Sequence, residues 1–264
     1  MTIQCLHVLN GDATRIPLEQ SGVAGEFTIW ADPLHDGPVP LTLDDEALRA
    51  IRAAHLADGS GEDEAGVLRT LRNWDAALDR WPEFDEVVFW FEHDLFDQLI
   101  LVRHLDWLAR TAPPAGRFSL ICIGEHAGVS RFNGLGQLSP VQLLALFPTR
   151  DPLSSAEIDT GATAWGLFRA PDPTPLSAWS RSAEAARLKF LPGALARHLD
   201  DLPGIADGLS RSERQILVAL AAGAGTFADI FRATQRMEER VFMGDTSFRR
   251  ILDGLGGARC VLQA

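Results

Sequence analysis

Short, densely apolar runs alternate along this chain with longer stretches in which apolar residues recur every three or four positions. Runs of the first kind cover Thr2–Leu9, Glu26–Trp30, Val87–Phe91 and Arg117–Ile123, each bounded by Gly, Pro, Asn, Asp or Glu, and they predict strands. Val87 to Phe91 is apolar at every position, which suits a central strand covered on both faces. The helical period covers Leu43–Leu56, Ala65–Arg80, the stretch from Asp94 to Arg110, and Leu138–Phe147. Strands alternating with helices over residues 1–150 predict an α/β domain, a mainly parallel doubly wound sheet with flanking helices.

The pattern changes from about Pro152. Ser154-Ser155-Ala156-Glu157 is a capping box opening a helix that reaches Arg169, and Pro171, Pro173 and Pro175 then interrupt the chain. Leu176–Lys189 and Pro192–Asp201 follow as helices, so residues 151–204 form an all-helical region packing on the sheet or linking to it. Leu202-Pro203-Gly204 separates the last unit, residues 205–264. A second capping box, Ser210 to Glu213, opens Arg211–Ala222; Thr226–Arg236 and Thr246–Leu255 are further helices, and Ala258–Gln263 is a final strand. Three helices and a strand predict a winged-helix-like unit with its third helix in the recognition position.

Charge separates these parts. The net charge is −12, yet residues 205–264 hold eight arginines against seven acids. An acidic body argues against non-specific nucleic-acid binding by the sheet domain and leaves only the tail permissive. Cys5, Cys122 and Cys260 sit in apolar contexts without CxxC or Cys/His spacing, and read as small buried hydrophobes. No long apolar segment and no basic-then-apolar start is present, so a cytoplasmic protein without membrane contact is expected.

In a parallel sheet, the polar segments after the strands converge at the carboxyl edge, where open α/β sheets bind ligands. These segments are Asn10-Gly11-Asp12, Asp32 to Pro38, Glu92 to Gln98, and Gly124-Glu125-His126. Within the third, Arg103, Asp106 and Arg110 mark a solvent stripe on the helix, and Asp94 and Gln98 lie off it, facing the protein. Asp94 is the natural N-cap of that helix, and Asp12 that of the helix after the first strand.

Three of these motifs carry a resemblance. Asn10-Gly11-Asp12, then Leu34-His35-Asp36-Gly37-Pro38-Val39, then Trp90 to Gln98, resemble in order and spacing a bacterial family catalogued as domain of unknown function 1835. The likeness spans roughly the first 130 residues. Ser210 to Glu213 and Phe242-Met243-Gly244-Asp245 look like the C-terminal segment of longer members. The resemblance implies the domain plan and marks motif residues; it brings no activity.

Two chemistries fit the residues. In the first, Asp12, Asp36, Glu92 and Asp94 hold Mg2+ or Mn2+, and His35 or His93 carries protons in hydrolysis of a phosphorylated or nucleotide-like small molecule. Asn10, Gly11, Asp97 and Gln98 would then contact the anionic ligand. In the second, no metal binds and the helix amino ends receive the anion of a sensed ligand. The tail of such a regulator would bind DNA as a dimer through Arg249 and Arg250. A non-catalytic interaction module, in which these residues are caps and turns, is the third reading. The sequence lacks G-x-G-x-x-G after the first strand, a P-loop and G-x-S-x-G, which removes three common site classes.

Overall fold

The computed structural model describes residues 3–41, 44–58 and 61–257. Four parallel strands, β1 (Cys5–Leu9), β2 (Glu26–Ile29), β3 (Glu86–Glu92) and β4 (Phe118–Ile123), take the order β2-β1-β3-β4. A fifth, β5 (Asp151–Pro152), adds antiparallel to β4 at the edge. The α/β class and the mainly parallel sheet are as expected. The two-residue β5 was not, because a strand that short has no periodicity to read. It makes residues 151–152 part of the sheet rather than the start of a helical region.

β3 lies at the centre, and its alternate residues serve two cores. Val87, Phe89 and Phe91 pack with Leu6 and Val8 on one face, where α4 (Leu95–Thr111), α6 (Ser155–Phe168) and α8 (Leu191–Asp200) lie. Val88 and Trp90 join Leu9, Leu18 and Leu143 on the other, under α1 (Asp12–Gln20) and α5 (Pro140–Leu146). Burying both faces explains why the run had no polar interruption. α2 (Asp45–Ala57) and α3 (Glu64–Asp79) pair beside the first face, capped by Asp44 and Asp63.

α4 is buried nearly all round, which corrects the solvent stripe expected on it. Arg103 is only 8% exposed; its guanidinium binds Asp75 of α3 at 2.5 Å and lies over the Trp30 ring. The stripe is displaced because α6 crosses α4 closely, where Gly161 faces Leu105 and leaves no room for a Cβ. Of the three stripe residues, Asp106 and Arg110 keep the outward character that the spacing implied, and Ala109 is exposed beside them.

The helix expected over Leu176–Lys189 is broken. α7 (Thr174–Trp179) stops where Ser180 Oγ bonds the Ser177 carbonyl and Ser182 Oγ accepts from the Ala185 N–H, local bonds that compete with helix continuation. A single 3-10 turn, Ala185–Arg187, follows.

α9 (Arg211–Ala221), α10 (Phe227–Met237) and α11 (Asp245–Gly257) form the expected three-helix cluster. The strand expected over Ala258–Gln263 lies outside the described residues. Ile216, Ile230, Phe242 and Phe248 of this cluster belong to the same apolar core as Leu6 and Phe89, so one core runs through all three expected segments. Arg250 is committed to that docking. It binds Asp36 at 2.5 Å and the carbonyls of His55, Leu56 and Asp58 at the end of α2. It is therefore not a free DNA contact, as the regulator reading needed, while Arg249 lies over the Phe227 ring at 4.0 Å. Among the described residues, no helix is long and apolar enough to cross a membrane.

Candidate metal centre

The chain leaves β1 to one side, toward β2, and leaves β3 to the other, toward β4. The crevice between the carboxyl ends of β1 and β3 is thus the topological switch point of the sheet, where such folds bind ligands. Glu92 ends β3, and Asp94 is the N-cap of α4, its carboxylate accepting from the Asp97 N–H at 3.1 Å. That N-cap role matches the sequence reading. Asp97 stands at the third helical position, one turn on, and so faces back toward the strand end.

Glu92, Asp94 and Asp97 each offer a carboxylate oxygen within 4.8 Å of the others, and all three are buried. This trio can hold a metal ion. Asn10, at the end of β1, spans two of them: its amide donates to Glu92 Oε1 at 3.1 Å and to Asp97 Oδ2 at 3.0 Å. Thr14 Oγ1 donates to the Asn10 side-chain oxygen, Oδ1, at 3.0 Å and fixes the amide's direction. The Leu135 N–H donates to Glu92 Oε1 at 2.5 Å, from a loop that crosses the crevice. Gly134 lies so near that a Cβ there would stand 2.5 Å from Glu92 Oε2, at a φ of +147° that disfavours other residues. Asp97 Oδ1 is buried with no hydrogen-bond partner.

Three carboxyl groups packed together away from water cannot all ionise at ordinary cost. Burial, and then the charge of Asp94, pushes Glu92 up to about 8. Burial pushes Asp94 up to about 6. Burial, then Asp94 and Glu92, raises Asp97 well above the usual carboxylate range. Burial, and after it the charges of Asp97, Asp94 and Glu92, also raises the nearby Cys122 thiol. The α4 amino end, with its N–H groups directed at Asp94, favours charge there but does not neutralise the trio. A divalent cation would.

His93 follows Glu92 directly. Its ring sits between Phe132 and Phe190, its Nδ1 is buried without a partner, and burial, followed by the charge of Arg240, lowers its pKa to about 4. The imidazole is therefore neutral and only weakly basic near pH 7, and the charge acting on it is that of Arg240, not that of any carboxylate of the trio. Gln98 is turned inward as expected, its amide donating to the Glu92 carbonyl at 2.7 Å and to Cys122. Arg240, before α11, donates to the His93 carbonyl and ties the C-terminal part to this site.

The other expected ligands stand elsewhere. Asp12 is not an N-cap: Gly11 holds that position on α1, and Asp12 is exposed in an ion pair with Arg15 at 2.8 Å. Because β1 already ends at Leu9, the helix begins one residue earlier than a capping Asp12 requires. Asp36 faces Arg250 and His55 and belongs to the contact with the C-terminal helices. His35 packs edge-on against Phe96 and Phe242 with both ring nitrogens buried and unpartnered. The charges acting on it are Asp36, Arg52, Asp201 and His198, none of them in the trio. Glu125 points to solvent, and His126 Nδ1 meets the neighbouring Ala127 carbonyl.

One guanidinium shapes the loop that was expected to contribute. Arg52, 1% exposed, binds Asp32 at 2.6 Å and the carbonyls of Pro33, Asp36 and Pro38. This holds the three-proline segment as a packing element beside α2. Sequence reasoning missed Arg52, Arg240 and the Leu135 amide. Asn133-Gly134-Leu135-Gly136 was a visible turn signal, but nothing in it names Glu92 as its target. No family model and no curated protein matches this chain, and the resemblance described above rests on the sequence motifs alone.

Proposed function

We propose that this protein is a divalent-metal-dependent hydrolase of a phosphorylated or nucleotide-like small molecule, within the family that its three motifs resemble. The observation that carries this reading is the buried trio Glu92, Asp94 and Asp97, with oxygens within 4.8 Å and one oxygen, Asp97 Oδ1, lacking a partner. An all-carboxylate donor set suits a hard cation, Mg2+ or Mn2+, which keeps positions for water and a substrate oxygen. Bound there, the ion would supply a polarised phosphoryl oxygen and an acidified water.

The chain's own residues do the rest. Asn10 holds the Glu92 and Asp97 carboxylates toward each other, leaving their second oxygens for coordination. His93, next in sequence to Glu92, would carry the proton at its partnerless Nδ1. Phe132 and Phe190 exclude water around that nitrogen. The switch-point position supports a small ligand over a polymer, since the site is a crevice between two strand ends.

Mn2+ titration followed by electron paramagnetic resonance tests the site, with wild type and Asp97→Asn compared. Saturable binding to wild type, at least tenfold weaker in the variant, is the expected result. Activity on a panel of phosphomonoesters and nucleotides should require Mg2+ or Mn2+ and disappear with chelator and with His93→Ala. Absence of saturable Mn2+ binding to wild type would remove the metal-dependent reading outright.

A further inference from the structure

We infer that residues 124–134, between β4 and the Leu135–Gln137 turn, form a lid over the carboxylate trio, held shut by Arg131, and that its release admits the small-molecule substrate. The inference rests on the reading of the trio as the reacting centre and adds how a substrate reaches it. Glu92, Asp94 and Asp97 are 5%, 4% and 1% exposed. A phosphorylated molecule therefore cannot touch an ion held among them until a wall of the crevice moves.

Most of these walls are fixed. β3 pairs with β1 along one edge and β4 along the other, and Asn10 follows directly on the paired β1. α4 is buried nearly all round. The remaining wall is the segment after β4. It ends in the Gly134–Leu135 peptide, whose N–H bonds Glu92 Oε1 at 2.5 Å while Gly134 lies against Oε2, so one peptide covers both oxygens of this carboxylate. Phe132, also buried, fills the space beside the His93 ring, with 5.8 Å between centroids. The φ of +147° at Gly134 gives this end the backbone freedom that a hinge needs. A peptide can turn between fixed Cα positions, so the N–H can leave Glu92 while the Leu135 side chain stays in its core.

Arg131 holds the segment down from outside. The residue is exposed, and its Nη2 donates to the carbonyls of Gln235 and Glu238 at 2.8 and 2.9 Å, at the end of α10. The last carbonyls of a helix lack backbone donors and favour a cation. Two residues on, Arg240 donates to the His93 carbonyl at 3.1 Å. The turn after α10 thus grips both sides of the crevice, the segment through Arg131 and the strand end through Arg240. Elsewhere the segment is lightly held. The Val129 N–H donates to the His126 carbonyl, and the Asn133 N–H to Gln137 Oε1. Ala127, Gly128, Ser130 and Asn133 are exposed. Stretches with few buried contacts and solvent-exposed bonds are those that open locally while the rest of a fold stays intact.

Amide hydrogen exchange of the full chain, 15N-labelled and in chelator, measures the opening. In wild type the Leu135 amide should exchange at least tenfold faster than that of Phe89 in the middle of β3, whose release requires the sheet to open. Arg131→Ala should speed Leu135 at least a further fivefold and leave Phe89 within twofold, which separates release of a lid from a general loss of stability. Leu135 exchanging in step with Phe89, no acceleration in the variant, or equal acceleration at both residues overturns the lid. A second measurement reads entry. With Mn2+ bound, the 31P relaxation of inorganic phosphate reports the anion reaching the ion, and the entry rate should rise at least threefold in Arg131→Ala. An unchanged rate overturns the lid's role in access. Absence of saturable Mn2+ binding to wild type removes the metal-site reading instead, and the exchange result, taken without metal, still decides the lid.

Discussion

The sharpest consequence of the buried trio is that removing one charge should stabilise the protein while abolishing its response to metal. The perturbation is Asp94→Asn. Asparagine is as good an N-cap as aspartate, so the bond to the Asp97 N–H at 3.1 Å survives and α4 keeps its start. What goes is the charge that, after burial, raises Glu92 and Asp97 most. A group whose folded pKa lies above its unfolded value contributes stability that is fully present below the unfolded pKa and is lost as pH rises through the folded one. For Glu92 that window runs from 4.5 to about 8. The loss is about 1.4 kcal/mol per pH unit across it, roughly 5 kcal/mol in all. Burial is the larger cause and remains in the variant, so the share recovered at pH 8 is about 1–2 kcal/mol. For a chain of this size that corresponds to a rise of roughly 2–8 °C in melting temperature. Metal acts oppositely: Mn2+ at a hundred times its dissociation constant should add about 2.7 kcal/mol to wild type. The assay is a set of thermal melts at pH 5, 6, 7 and 8, with chelator or Mn2+. The variant should melt above wild type at pH 8 in chelator and show no Mn2+ shift. A variant that melts below wild type in chelator at pH 8, or keeps the full Mn2+ shift, refutes the reasoning.

Other outcomes follow from the same geometry. Arg52→Met strands the 2%-exposed Asp32 and three carbonyls, and should cost about 3–5 kcal/mol in urea unfolding; Asp32→Asn in the same chain should recover part of it. Burial holds His7 and His35 near pKa 4 and His104 near 3, so their contribution is intact above pH 6.5 and is lost as pH falls below it, about 1.4 kcal/mol per unit for each. His104→Phe, which keeps the ring among Trp30, Phe89 and Phe91, should make the decline in urea stability between pH 6.5 and 5 shallower. Gly134→Ala sets a Cβ against Glu92 at a φ of +147° and should cost about 1–3 kcal/mol, with faster amide exchange at Leu135; unchanged exchange there would mean that the loop does not depend on this contact.

Much of this fold was legible from its residues. β3 could be placed centrally because Val87 to Phe91 is apolar on both faces, and only a strand between two helical layers tolerates that. Asp94 could be read as a cap because its carboxylate satisfies an N–H three residues away, within reach of sequence spacing. Strands alternating with helices implied the parallel sheet, and a parallel sheet gathers its carboxyl ends along one edge, so the neighbourhood of Asn10, Glu92 and Gln98 was also implied.

Which polar residues at that edge share a site was decided only in three dimensions. Asp12, Asp36 and His35 carry the same donor groups as Asp97 and His93, yet Arg15, Arg250 and the Phe96–Phe242 pair absorb them. Asp97 joins the trio because one helical turn brings it back over the strand end, opposite Asn10 on the neighbouring strand, 87 positions away in sequence. Arg103 was lost to solvent for a similar reason: α3 and α6 cover a face that the spacing within α4 alone marks as outer. Local patterns encode which way a side chain leaves its own element, because helix and strand periods are fixed by the backbone. They do not encode what waits there. That depends on the order of strands and on which helix covers which face, and those follow from the burial of the whole chain.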